Sequence, residues 1–363
     1  MTFPRLPYPL RHVLWATALA AALGAAYSDM QIWQRGGQTL DVYRMARGAV
    51  TGALIASILT TFDAFVLNAP LGAPLRRAPF AVHVAIKTII YLGVILFALK
   101  LGHDLFPAPG DVSEGGDVVF SLAAAFVFVF ILDVNSLLGQ NVLINFITGR
   151  YYAPRLESRV FLLIDMEGST GLAERLGPLA FHRLVKRFVD DLTQPIVAAR
   201  GEIHRYIGDE LIATWKLEEG ITDGRCVAAC FAAIDQLARR ASDYGREFGA
   251  AVTVRAGLHC GPVVTGEMGS VKREIVFLGD TVNTAARIQD LCRETGDRVL
   301  ASADLIDRLE LPRGIAKRSL GDLRLRGKGA DLALYALTKT PQGAGRSGAR
   351  DVAMAPAETP AAL

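Results

Sequence analysis

An all-α membrane bundle followed by an α+β sandwich is the architecture this sequence predicts. Three observations point to it. Apolar residues make up 51% of the 363 residues and the mean hydropathy is +0.30, high for a chain surrounded only by water. The apolar excess sits before about residue 140, and the charged residues sit mostly after it. Beyond that point the pattern reads strand, helix, strand, strand, helix, strand.

Four apolar stretches have the length of a bilayer crossing: Leu10–Ser28, Arg47–Leu67, Phe80–Leu101 and Asp117–Gly139. The first lacks a convincing cleavage site and is followed by three more, so it reads as an anchor rather than a signal peptide. The second-to-third loop carries Arg76 and Arg77. The third-to-fourth loop carries Asp104, Asp111, Glu114 and Asp117, and the exit from the fourth stretch carries Arg150, Arg155 and Arg159. The positive-inside rule then places both termini in the cytoplasm of a multi-pass plasma (inner) membrane protein. Three ionisable residues interrupt the stretches: Asp63, Lys87 and Asp133. Charges at that depth usually pair, so Lys87 is expected between the two acids, with His83 one turn away.

Residues 140–158 form a connector broken by Gly149 and Pro154, and residues 159–338 form the second domain. Arg159–Asp165 reads as a buried strand and Ser169–Arg200 as a helix. Glu202–Ile207 and Glu210–Lys216 read as a hairpin across Gly208 and Asp209. Gly224–Phe248 reads as a helix, Ala251–His259 and Glu274–Leu278 as strands, and Thr281–Glu294 as a helix. The helices are expected on one face of a mainly antiparallel sheet. The tail, residues 339–363, is rich in Ala, Gly and Pro and is expected to be disordered. A net charge of +3 offers no bulk field for nucleic acid. Cys226, Cys230, Cys260 and Cys292 form no CxxC pair and read as packed thiols.

Chemistry is suggested by three segments. "FLLIDMEGST" ends a buried strand on Asp165 and starts a helix at Gly168, Ser169 and Thr170. A helix start offers unpaired N–H groups to phosphate oxygens, and a strand-tip carboxylate can hold a divalent ion. Read alone, Ser169 or Thr170 is only an N-cap. "HRYIGDEL" puts Asp209 in a hairpin turn; if its strands neighbour the first one, the two carboxylates converge. Two such carboxylates and a triphosphate suit a two-metal phosphoryl site. "FLGDTVNTAARI" places Asn283 and Arg287 four apart on one helix face, where an amide orients a sugar and a guanidinium neutralises phosphate charge.

Together with "RAGLHCG" at Arg255–Gly261, these ordered motifs resemble the class III nucleotidyl (adenylate/guanylate) cyclase domain over residues 159–337. The resemblance implies a ferredoxin-like α+β fold that makes a 3′,5′-cyclic nucleotide and pyrophosphate from a nucleoside triphosphate. It implies that Asp165 and Asp209 bind two Mg²⁺ or Mn²⁺ ions. Asn283 would position the ribose, Arg287 would stabilise charge at the α-phosphate, and Lys328 would touch the terminal phosphates. It further implies a head-to-tail homodimer in which acids from one chain meet Asn283 and Arg287 from the other.

At the base-reading positions the chain departs from the family's adenylate pattern. Arg205 stands where Lys is usual, and Val276 stands where Asp or Thr is usual. Valine accepts no hydrogen bond, and such a pocket discriminates weakly. ATP is favoured by family frequency, with GTP or low selectivity as the alternative. A catalytically idle membrane receptor using the fold only to dimerise is the rival from another class. The retained Asp165, Asp209, Asn283 and Arg287 argue against it. The hairpin reads "IGDEL", so the turn signature of diguanylate cyclases is absent. A transporter reading leaves the polar half unexplained.

Overall fold

The computed structural model describes residues 8–34, 41–62, 80–107, 116, 118–127, 145, 148–324 and 331–340. The chain divides into two compact units, Met1–Gly139 and Gln140–Leu363.

The first unit is helical: α1 (Tyr8–Gln34), α2 (Val42–Thr61), α3 (Phe80–Leu105) and α4 (Val118–Val127). Asp41 starts α2, its Oδ1 accepting from the amides of Tyr43 at 3.1 Å and Arg44 at 3.3 Å, which satisfies two of the donors a helix start leaves unpaired. Leu59, Tyr91, Ile95 and Ala125 join α2, α3 and α4 in one buried cluster. Among the described residues, two helical stretches, Val13–Gln31 and Ala85–Leu105, are long and apolar enough to cross a membrane. The α2 helix carries Arg44 and Arg47 in its first half, and α4 is described over Val118–Val127. Lys87 is buried, its Nζ 5.6 Å from the Tyr91 ring centroid. Asp63, Asp133 and the side chain of His83 lie outside the described residues, as do Lys328 and residues 341–363 of the tail.

The second unit is built on a sheet of eight strands: β1 (Arg155–Met166), β2 (Glu202–Ile207), β3 (Glu210–Lys216), β4 (Val254–Met268), β5 (Glu274–Leu278), β6 (Val299–Ser302), β7 (Ile315–Arg324) and β8 (Asp331–Lys339). Their order is β2-β3-β1-β4-β6-β8-β7, with β5 also on β4. Among the described residues only the β4–β6 pairing is parallel. The helices are α5 (Ser169–Ala198), α6 (Leu217–Ile221), α7 (Arg225–Arg239), α8 (Ala241–Phe248), α9 (Asp280–Thr295) and α10 (Ala303–Ile306).

Helices cover both faces of this sheet, not one. Val160, Leu162 and Ile164 of β1 pack with Leu184 and Phe188 of α5 and with Cys226 and Cys230 of α7. The alternate residues Phe161 and Leu163 pack with Ala285 of α9. Successive strand residues point to opposite faces, so the unbroken apolar run of β1 is the mark of a strand covered twice. The expected single helix over Gly224–Phe248 is two, broken at Arg240 (φ −100°, ψ 9°). All four cysteines are buried and free, and burial pushes the Cys226 thiol up to about 12.

Candidate active site

Two turns next to β1 build the acidic part of the site. β1 lies between β3 and β4, and its register sets Ile164 opposite Leu211 and Asp165 opposite Arg255. Ile207 pairs with Glu210 across the β2–β3 turn, so Asp209 stands beside the end of β1. Gly208 takes φ +62°, a left-handed conformation that favours glycine at this turn. At the other turn Gly168, with φ +71°, occupies the N-cap of α5 and supplies no side-chain cap. Ser169 and Thr170 begin the helix instead of capping it. The first-turn amides are therefore open to an acceptor from outside the chain.

Asp165 and Asp209 face each other. Burial, and then the neighbouring Asp209 carboxyl, raise the pKa of Asp165 to about 6; Arg255 and Gln289 oppose the rise. The Arg255 Nη2 lies 3.6 Å from Asp165 Oδ2. Asp209 Oδ2 is buried without a hydrogen-bond partner. Glu210 is pushed up to about 7, by burial first and then by Asp165, Asp290 and Asp209. Buried anions crowded like this are stabilised by a cation. Among the described residues no group of three His, Cys, Asp or Glu side chains is arranged to hold a metal. Mg²⁺ needs no such cage, since it is commonly held by one or two carboxylates plus substrate phosphates. Asp165 and Asp209 fit that donor set.

Asn283 and Arg287 are not brought to these acids. The buried face of α9 carries Thr281, Thr284, Ala285, Ile288, Gln289 and Cys292. At 3.6 residues per turn, Arg287 lies about 160° around the helix from Gln289, the residue that reaches Asp165. Asn283 is exposed and Arg287 half-buried.

Arg205 and Val276, which depart from the family's base-reading pattern, lie on β2 and β5. Arg205 on β2 donates to Glu274 on β5 at 2.8 Å, and Lys272 pairs with the same carboxylate at 2.5 Å. Val276 is two residues from Glu274 and so shares its face of β5. Beneath them Phe277 packs between His204 (ring centroids 4.7 Å apart) and the guanidinium of Arg159, 4.6 Å from its centroid. Arg159 is buried and donates to Glu202 at 2.7 Å.

Arg255, Gln289, Glu210 and Glu274 are the residues of this region that sequence reasoning missed. The first sits in a quoted motif and the third directly follows Asp209. Gln289 and Glu274 become visible only through strand register and helix packing.

Residues 151–339 match the family described as the adenylate and guanylate cyclase catalytic domain, more than half of the chain. The chain belongs to this family. It is similar to adenylate cyclase 2 of Rhizobium meliloti (strain 1021), 38% identical over 221 residues, 61% of each chain. Adenylate cyclase 1 of the same organism is 24% identical over 312 residues, 78% of this chain and 46% of that one. The chain thus spans less than two thirds of the length of these relatives. A solved bacterial light-regulated adenylyl cyclase has the same fold, with a TM-score of 0.52 at 20% identity over 64% of this chain and 69% of that one.

Proposed function

We propose that this protein is a membrane-anchored nucleotidyl cyclase that converts ATP to 3′,5′-cyclic AMP and pyrophosphate for intracellular signalling. The four apolar stretches would form the anchor, with the cyclase domain on the cytoplasmic side. The observation that carries the reading is the pairing of Asp165 with Asp209, whose buried Oδ2 lacks a partner. Relatives named adenylate cyclases support the choice of ATP.

In the reaction the ribose 3′ oxygen attacks the α-phosphorus. The bond to the bridging oxygen breaks, and pyrophosphate leaves with its electron pair. Asp165 and Asp209 would hold Mg²⁺ or Mn²⁺, which supplies Lewis acidity at the 3′ hydroxyl and neutralises triphosphate charge. Arg255 and Gln289 lower the pKa of Asp165 and so favour the carboxylate form that binds a cation. The open amides at Gly168, Ser169 and Thr170 would donate to triphosphate oxygens. Asn283 would orient the ribose, and Arg287 would donate to the α-phosphate as charge builds there. Lys328 would contact the terminal phosphates.

Asn283 and Arg287 face away from the acids of their own chain, so a second copy would supply them. Each site of the homodimer would take Asp165 and Asp209 from one chain and Asn283 and Arg287 from its partner. Asp209→Ala is expected to abolish cyclic nucleotide formation with the fold intact; substantial remaining turnover would refute the reading.

Guanylate cyclase activity or low selectivity between ATP and GTP is the second reading, and one observation keeps it open. Val276 offers no polar group, and Arg205 is already bonded to Glu274. An Arg–carboxylate pair presents both a donor and an acceptor and can match either purine edge. Turnover of ATP and GTP measured side by side decides between them.

A further inference from the structure

In the run β2-β3-β1-β4-β5 the outer two strands are separated by three others, and among the described residues no backbone ladder joins them. Laid flat at about 4.8 Å per step, β2 and β5 would lie about 19 Å apart. Their side chains nevertheless meet. Arg205 of β2 donates to Glu274 of β5 at 2.8 Å, and the His204 ring stands edge to face on Phe277 with centroids 4.7 Å apart. The sheet therefore curls until these two strands close on each other through side chains alone. A bulge helps. The register of β2 on β3 shifts between Ile203 and Arg205, which makes His204 the extra residue; such a residue bends its strand and re-aims a side chain.

Arg159 of β1 fills the enclosed side of this closure and is 2% exposed. Its guanidinium bonds in three directions: Nη1 to Glu202 Oε2 on β2 at 2.7 Å, Nε to Glu157 Oε2 on β1 at 3.1 Å, and Nη2 to the Tyr151 hydroxyl at 3.3 Å. Its plane of charge lies 4.6 Å from the Phe277 ring centroid on β5. Glu157 is held in turn by Thr265 Oγ1 of β4 at 3.3 Å and by the Tyr151 hydroxyl, which donates to it at 3.2 Å. Burial, and then Arg205 and Arg159, lower the pKa of His204 to about 4, so at neutral pH its ring is uncharged beside the guanidinium. One side chain thus ties β1, β2 and β5 together. An apolar plug of the same volume would hold such a core at least as well. What arginine adds is direction, because its planar fork fixes the angles at which its partners stand.

We propose that Arg159 is a positioning residue for purine selection: it fixes the spacing between Arg205 on β2 and Val276 on β5, and so the shape of the pocket that takes the base. This rests on the reading of Arg205 and Val276 as the positions that face the base. Glu274 and Val276 alternate with Phe277 along β5, so the reading side and the plugged side are the two faces of one strand. With no ladder between β2 and β5, their spacing depends on the groups packed beneath them. Loss of the fork lets the two strands shift, which changes the Arg205–Glu274 pair and the purine edge it matches. Arg159 stands six residues before Asp165 on β1, about 20 Å along the strand, so the acid pair is out of its reach.

The test compares kcat/KM for ATP and for GTP, using the full chain in lipid nanodiscs. Arg159→Lys keeps the charge and loses the fork. It should change the ATP-to-GTP ratio about tenfold, the lower end of what a small change of pocket shape is worth, and chiefly through KM. Arg159→Met combined with Glu202→Gln leaves no charge stranded on Glu202 and should change the ratio in the same direction. Tyr151→Phe, which removes one acceptor of the fork, should do so by a smaller factor. Asp191→Asn is the control. Asp191 is also buried and accepts from Arg240 at 2.6 Å and Tyr244 at 2.8 Å, on the other face of the sheet. Its loss should lower the unfolding midpoint and leave the ratio alone. Val276→Asp tests the base-reading position itself. A ratio that moves with Val276→Asp but with no Arg159 variant overturns the positioning role alone. A ratio that moves with neither overturns the base-reading assignment and the proposal together. A ratio that follows the unfolding midpoint in every variant, Asp191→Asn included, marks Arg159 as structural only and also overturns the proposal.

Discussion

The acid pair and the Asn–Arg pair of the cyclase domain differ in how the fold treats them. Asp165 and Asp209 are held at the mouths of two adjacent turns, next to the sheet, crowded against Glu210 and tethered by Arg255 and Gln289. Asn283 and Arg287 stand on the outer side of α9, away from that crowd. The first pair carries electrostatic strain inside one chain. Among the described residues, the second pair has no hydrogen bond or ion pair to a side chain of its own chain. Under the proposed reading the difference is one of division of labour: one part of the site is preloaded for a cation, and the other is a surface waiting for a second copy.

Substitutions should separate the two parts by activity and stability together. Asp165→Asn or Asp209→Ala is expected to cost the most, roughly a thousandfold or more in turnover, because several kcal/mol of cation-mediated stabilisation goes with the ligand. Without divalent ions these same variants should unfold no more easily than the wild type, since they relieve crowding. The sign follows from the raised pKa of Asp165. Between its ordinary value and about 6 the folded protein binds more protons than the unfolded chain. This group therefore adds stability as pH falls through that window and loses it as pH rises. Metal-free denaturation of wild type against Asp165→Asn, at pH 7.5 and near pH 4.5 where the fold permits, checks the direction.

Arg287→Ala comes next, at about 10²–10³ in kcat, the usual cost of losing one donor to developing charge. Its unfolding midpoint should be nearly unchanged, because the residue is only half-buried on α9. A large loss of stability would mean that the outer face of α9 has a structural task after all.

Arg255→Met should act through Asp165. Removing the guanidinium 3.6 Å away takes out a charge that lowers the carboxyl pKa, so the acid limb of the pH–rate profile should move to higher pH. An unshifted limb accompanied by a uniform loss of activity would mark Arg255 as merely structural. The smallest effect is expected from Glu274→Ala, which frees Arg205 at the base-reading position. A few-fold change in the ATP-to-GTP preference, with little change in kcat for the better nucleotide, is the expected outcome. Purine preference that does not move would remove this ion pair from base reading.

Much of this contrast was legible before any coordinates. The hairpin strands Glu202–Ile207 and Glu210–Lys216, and the strand Glu274–Leu278, have the bounds their alternation suggests. The spacing of Asn283 and Arg287 already sets them on one helix face. Other parts lacked a local signal. Val299–Ser302 is four residues long, and β7 is mostly exposed, so neither has an apolar period to read. The break at Arg240 has no glycine or proline to mark it. The pairing of Asp165 with Arg255 is a matter of register between strands some ninety residues apart, and register is not written in either strand alone. The placement of α9 on the second face depends on β1 being buried twice, which an unbroken apolar run permits without specifying.

The central claim, that the acids and the Asn–Arg pair act only across two chains, is tested most directly by mixing two inactive variants. Asp209→Ala retains Arg287, and Arg287→Ala retains Asp209. In a dimer of one of each, one of the two sites regains both parts and the other has neither. With equal amounts and free exchange, half the dimers are mixed, so about a quarter of wild-type activity should return in a symmetric two-site dimer. No recovery, with mixed dimers demonstrated by differently tagged chains, would show that each site is built within one chain and would contradict the account.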